Sequence, residues 1–144
     1  MSNLTKIINT NRGEDDVKKL TVVNNYFNMF KLIPTGLNNK NSYWTTPEEF
    51  IKEGGGRSED FATAKFFTLL RMGFNEDNLK LLYAKKSDKS HVALIFTEGP
   101  HKSPIVLDNS TNIMKSLEER SDLKPVFIFD RKNIWTIKDR EKSC

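Results

Sequence analysis

At 144 residues, with 37% hydrophobic content, ten Phe and two Trp, the chain is long and apolar enough to build the core of one domain rather than a disordered tail. Its net charge of +4 comes from basic residues in runs no longer than two, interleaved with acids as in Glu118-Glu119-Arg120, so no dense nucleic-acid stripe is expected. The lone cysteine, Cys144, excludes an intramolecular disulfide and a zinc constellation, and there is no apolar run of about 18 residues for membrane insertion.

Residues 1–13 are polar and read as a loose tail. MSNLTKIINTNRG lacks the apolar core of a secretory leader, which leaves a cytoplasmic chain or one separated from its leader. Over 14–30, Val17, Leu20, Val23, Phe27 and Phe30 recur at steps of three and four, predicting an amphipathic helix with Glu14, Asp15 and Asp16 at its positive end. Pro34-Thr35-Gly36 and a polar loop at 38–41 interrupt the pattern. In TTPEEF, Thr46 and Glu49 have capping-box spacing around Pro47, so a short helix is expected to end at Gly54.

A central helix is predicted over 58–72. Phe61, Ala62, Ala64, Lys65, Phe66, Leu69 and Leu70 form its wide, mostly apolar face, and Gly73 its C-terminal stop. Five short strands follow, at 79–86, 91–98, 103–109, 124–130 and 133–138, separated by turn clusters such as SDKS and EGPHKS. Helices first and strands later predict an α+β fold in which N-terminal helices and a central helix pack on an antiparallel sheet. The whole chain, 1–144, reads as one domain, with a second loose tail at 139–144.

The chemistry concentrates around GGGRSEDFATAKFF (54–67). On local sequence Ser58 is first of all a helix cap. Its position at the positive end of a helix also suits a nucleophile. His91 opens an apolar strand, where a titratable ring is poorly suited to simple packing, and Asp108 closes the next strand. A carboxylate there is expected to hold the imidazole through Nδ1–H, the orienting role in a triad, with Ser58 within roughly 4 Å of the ring. His101, in a turn, is expected to be solvated. Trp44 reads as a core or staple residue or as a cleft wall, Asn109 as a loop brace or a support of the site, and Trp135 as core.

The motifs VVNNYFN (22–28), YWTTPEEF (43–50), GGGRSEDFATAKFFTLLRMGF (54–74), HVALIF (91–96), PIVLDNST (104–111) and KPVFIFDRKNIW (124–135) resemble the bacterial transglutaminase-like cysteine peptidases of the LapG type, in order and spacing, over about residues 17–137. The resemblance implies a papain/transglutaminase-like fold and a Cys-His-Asp acyl-enzyme endopeptidase. It also implies a periplasmic, biofilm-linked protease that cuts surface adhesins under the control of a membrane-anchored cyclic-di-GMP receptor. Carried over, Ser58 takes the nucleophile position, His91 the general base and Asp108 its orienting acid. Trp44, Gly56, Arg57 and Asn109 become candidates for the substrate cleft.

Two departures matter. The family reads roughly G-D-C-E-D-[YF]-A, and this chain reads Gly56-Arg57-Ser58-Glu59-Asp60-Phe61-Ala62. Without the thiol, activity is expected to fall by several orders of magnitude. Ser58 then marks a substitution that silences the enzyme, a natural pseudo-enzyme that binds peptide or protein without cutting it, or a serine hydrolase; amidase or acyltransferase chemistry is a further alternative. Arg57 stands where calcium-dependent members carry an acid, so neither a metal nor another cofactor is expected.

Overall fold

The computed structural model describes residues 2–35 and 43–136. Residues 1–13, expected to be loose, instead contain a helix, α1 (Asn3–Asn11), whose start is capped by the Ser2 side chain accepting from Thr5 N–H. Leu4 and Ile8, one turn apart, are buried, so a segment polar in composition still carries an apolar stripe that pins it to the core. The second proposed tail, 139–144, lies outside the described residues. Asp15 caps α2 (Asp16–Phe27) by accepting from Lys18 N–H. Leu20, Val23 and Phe27 point inward, whereas Val17, assigned to the apolar face, is 54% exposed.

Local signals carry through the next elements. In α3 (Pro47–Glu53) Thr46 and Glu49 form both bonds of the capping box, and Gly54 ends the helix at φ 80°. In α4 (Ser58–Arg71) the buried side chains include Phe61, Ala62, Ala64, Phe66 and Leu69. Gly73, at φ 97°, closes it: Gly73 N–H donates to Leu70 O and Phe74 N–H to Leu69 O, the paired bonds of a Schellman stop. A two-residue parallel bridge joins β1 (Lys31–Leu32) to β2 (Gly55–Gly56) just before α4.

The sheet is antiparallel throughout. Its strands are β3 (Leu79–Lys86), β4 (Lys89–Phe96), β5 (Ile105–Asp108), β6 (Thr111–Ser116), β7 (Leu123–Phe129) and β8 (Ile134–Thr136), in the order β6-β5-β4-β3-β7-β8. β3 and β4 are joined by Ser87 and Asp88, both left-handed at φ 51° and 64°, as a two-residue hairpin turn of this twist demands. β4 begins at Lys89, so His91 is its third residue and not its first. β6 was not predicted, because its alternation is weak; it forms as the return arm of a hairpin in which Asp108 pairs with Thr111.

Leu79, Leu81, Val92, Leu94, Phe96 and Leu107 pack with the helices, while Leu82, Ala84, Ala93, Ile95 and Val106 form a second buried cluster. This is the period-two alternation of a sheet covered on both faces. Trp135, expected in the core, lies on the edge strand β8 at 44% exposure, with the Lys80 ammonium 5.5 Å from its ring centre.

Candidate active site

The glycines before α4 answer to two close approaches. Gly55 sits at φ 150°, and a Cβ there would lie 1.8 Å from the Lys31 carbonyl oxygen. A Cβ on Gly56 would meet the Asp60 side chain at 2.6 Å. Gly56 is therefore a buried seat for Asp60. Asp60 is fully buried and accepts from Arg57 N–H at 2.9 Å and from the Thr45 hydroxyl at 2.5 Å, tying the first turn of α4 to the segment before α3.

Ser58 is the first helical residue and Arg57 the N-cap. The Ser58 hydroxyl does not cap its own helix. Its Oγ accepts from Val92 N–H of β4 at 3.1 Å, 34 residues away in sequence, so the local reading as a cap gives way. Among the described residues no hydrogen bond joins Ser58 Oγ to the His91 ring; the two side chains line one cavity.

His91 and Asp108 meet as expected, but through the other nitrogen: His91 Nε2, not Nδ1, lies 2.7 Å from Asp108 Oδ1. Asp108 is 1% exposed. Burial pushes its pKa up, yet the hydrogen bond and charge of His91, the Arg120 guanidinium at 2.6 Å and Ser110 N–H together hold it well below the usual carboxylate range. An ionised carboxylate can only accept, so Nε2 carries a proton and Nδ1 of a neutral ring is the basic nitrogen. Arg120, itself 7% exposed, also bonds Asp122 through Nε and Nη2. Sequence reasoning missed Arg120: its only sequence signal was a charge in a mixed acidic and basic stretch.

Ser58 stands between two hollows. One, of about 750 Å³, is lined by Arg57, Lys86, Lys89, His91 and Asn109, among others; the second, of about 430 Å³, by Tyr43, Trp44, Tyr83, Phe127, Phe129 and Ile134, with Ser58, Glu59 and Ser90 common to both. One side is basic and polar, the other aromatic. The Trp44 ring packs on Phe66 at 5.3 Å and also lines the aromatic hollow. Arg57 Nε donates to Pro34 O, with a guanidinium nitrogen 4.0 Å from Glu59. Asn109 lines the basic side, its buried Oδ1 without a hydrogen-bond partner among the described residues. His101 is exposed.

The residues around Ser58 do not fit a dication. Both oxygens of Asp60 accept from protein donors, and Arg57 sets a positive charge beside Glu59. Among the described residues no group of three or more His, Cys, Asp or Glu side chains is arranged to hold a metal.

Neither a protein-family model nor a curated protein matches the chain. Solved structures do. Legionella pneumophila LapG in its calcium-bound form is 32% identical, with a TM-score of 0.83 over 94% of this chain and 76% of that one. A second Legionella pneumophila LapG structure is likewise 32% identical at a TM-score of 0.83, over 97% of this chain and 79% of that one. The EGTA-treated form has the same identity and TM-score over 95% and 75%.

Proposed function

The chain belongs to the LapG family of transglutaminase-like cysteine proteases, and from that premise we propose that Ser58 occupies the nucleophile position of a peptidase cleft, with His91 as general base and Asp108 as its orienting acid. The observation that carries the reading is the meeting, in one cavity, of a helix-start hydroxyl and an imidazole whose Nε2 is held by a buried carboxylate. In this reading Asp108 fixes the ring so that Nδ1 takes the nucleophile's proton, and the N–H groups opening α4 stabilise the developing oxyanion. A protein substrate such as a surface adhesin runs through the cleft, past its basic and aromatic sides. The periplasm is the compartment implied, with a membrane-anchored cyclic-di-GMP receptor as regulator. No helix among the described residues is long and apolar enough to cross a membrane.

As it stands the site turns over slowly or not at all. A serine hydroxyl is far less acidic than a thiol and relies on a base at bonding distance, whereas Ser58 Oγ accepts from Val92 N–H. The domain then binds its substrate and holds it.

The test restores the thiol. In a Cys144→Ser background, Ser58→Cys is expected to alkylate with iodoacetamide near neutral pH at least about tenfold faster than Cys144 does in the parent, because the helix start and His91 favour thiolate. His91→Ala is expected to slow it strongly and Asp108→Asn less. Peptidase activity on an adhesin-like substrate is expected only with Ser58→Cys. An introduced thiol no faster than Cys144 and indifferent to His91 would leave a non-catalytic binding module as the function.

A further inference from the structure

Two turns along α4 from Ser58, on the same face of the helix, stands Lys65, fully buried. Its Nζ donates to two neutral acceptors, Asn24 Oδ1 and Asn28 Oδ1 of the α2 segment, each at 2.8 Å. An amine has no lone pair to offer while charged, so it binds only the oxygen end of each amide. That choice dictates where the other ends point. Asn28 Nδ2 faces the β5–β6 turn, within 2.9 Å of the Asp108 carbonyl, 3.1 Å of the Thr111 carbonyl and 2.9 Å of Asn112 Oδ1. Asn24 Nδ2 reaches the Thr111 carbonyl at 3.4 Å.

We propose that Lys65 is a positioning residue for Asp108: by seizing the oxygens of Asn24 and Asn28 it turns their NH₂ groups onto the backbone of the Asp108–Thr111 turn, and so fixes the carboxylate that orients His91. The inference rests on the reading of Asp108 as the orienting acid. Several features support a positioning role over mere filling of space. A buried ammonium is costly to desolvate, and a leucine or methionine would fill this space without that cost. Its hydrogen bonds go to Asn24 and Asn28 and not to Ser58 or His91, so they act on the pair through the turn. Arg120 and His91 hold the Asp108 carboxylate from the side-chain end, and Asn28 holds the same residue at its carbonyl, so the two sets of contacts fix different parts of one residue.

The experiment reads His91 directly in the chain as it exists. At a pH where the ring is neutral, long-range ¹H–¹⁵N spectra are expected to show one tautomer, with the proton on Nε2. Lys65→Met is expected to remain folded by circular dichroism but to average the two tautomers. Asn28→Asp, which keeps an oxygen for Lys65 but removes the donor to Asp108, is expected to do the same; it also serves if Lys65→Met fails to fold. In the Ser58→Cys background, Lys65→Met is expected to slow thiol alkylation about tenfold, and to add nothing once Asp108→Asn is present, as residues acting through one another should. Folded variants that keep the single Nε2–H tautomer and full thiol reactivity would overturn the proposal. Should His91→Ala leave the thiol unaffected, the catalytic reading falls, and the tautomer spectra still decide whether Lys65 sets the His91–Asp108 pair.

Discussion

Asp108 and Lys65 are both ionisable side chains removed from water, 1% and 0% exposed, and their surroundings treat them in different ways. Asp108 faces the Arg120 guanidinium and accepts a hydrogen bond from the His91 ring, and these partners outweigh the cost of burial, so its carboxylate stays ionised. Among the described residues Lys65 Nζ hydrogen-bonds only amide oxygens, with the Phe61 ring centre 5.8 Å away. Burial lowers it to about 7, with the charge of Asp108 pulling the other way. Low solvent access by itself drives a group toward neutrality; a counter-charge at bonding distance keeps it charged. The charge persists where a guanidinium stands at bonding distance, and is conditional where only hydrogen bonds are on offer.

The largest effect that can break this contrast is expected from Arg120→Met. It strips one cationic partner from a buried carboxylate and is expected to cost about 3–5 kcal/mol in urea unfolding. Adding Asp108→Asn is expected to recover part of that loss. A cost below about 1 kcal/mol for Arg120→Met would mean that Asp108 does not depend on its counter-charge.

Lys65→Met is expected to cost less, about 1–3 kcal/mol at pH 7, because the two orphaned amide oxygens are partly offset by relief of a buried ammonium. Its pH dependence sharpens the comparison. With the folded pKa near 7 and the unfolded value near 10.4, the unfolded chain binds more protons between those limits. Lys65 therefore makes the parent gain stability as pH rises through that window, by up to about 1.4 kcal/mol per unit. Subtracting the Lys65→Met unfolding curve from the parent's between pH 7 and 10 isolates this limb. A flat difference would show that Lys65 stays charged, as Asp108 does.

The smallest effect lies in acid. Since the folded pKa of Asp108 is depressed, its stabilisation is present above the ordinary carboxylate value of about 3.9 and fades as pH falls below it. Asp108→Asn is expected to flatten that acid limb, read as ellipticity against pH between about 2 and 5. An unchanged limb would place the acid-labile carboxylates elsewhere.

Much of the site was legible because its markers are short-range or fall in a familiar order. Ser58 follows a glycine run at a helix start, His91 interrupts an apolar strand, and Asp108 ends the next one. What could not be read was the choice of ring nitrogen, which depends on the side-chain rotamer, and the packing of Asp60 over Gly56, which depends on the helix folding back over it. Trp135 looked like core by residue type, but its strand lies at the sheet edge, where among the described residues one flank has no neighbouring strand.

Sequence by itself determined the elements whose cause lies within a few residues: the Thr46–Glu49 box, the left-handed stops at Gly54 and Gly73, the Ser87–Asp88 turn and the two periodicities of helix and strand. Such contacts are made by neighbours, so a short window contains both partners. Tertiary structure alone decided the partners of the buried charges. Arg120 reaches Asp108 across 12 positions, and Lys65 reaches Asn24 and Asn28 across 41 and 37. Arg120 does not differ locally from a surface arginine, and the apolar face around Lys65 says nothing of which oxygens it meets. Only when α4 lies against α2 and the β5–β6 hairpin does burial strip their water and leave those particular oxygens within reach.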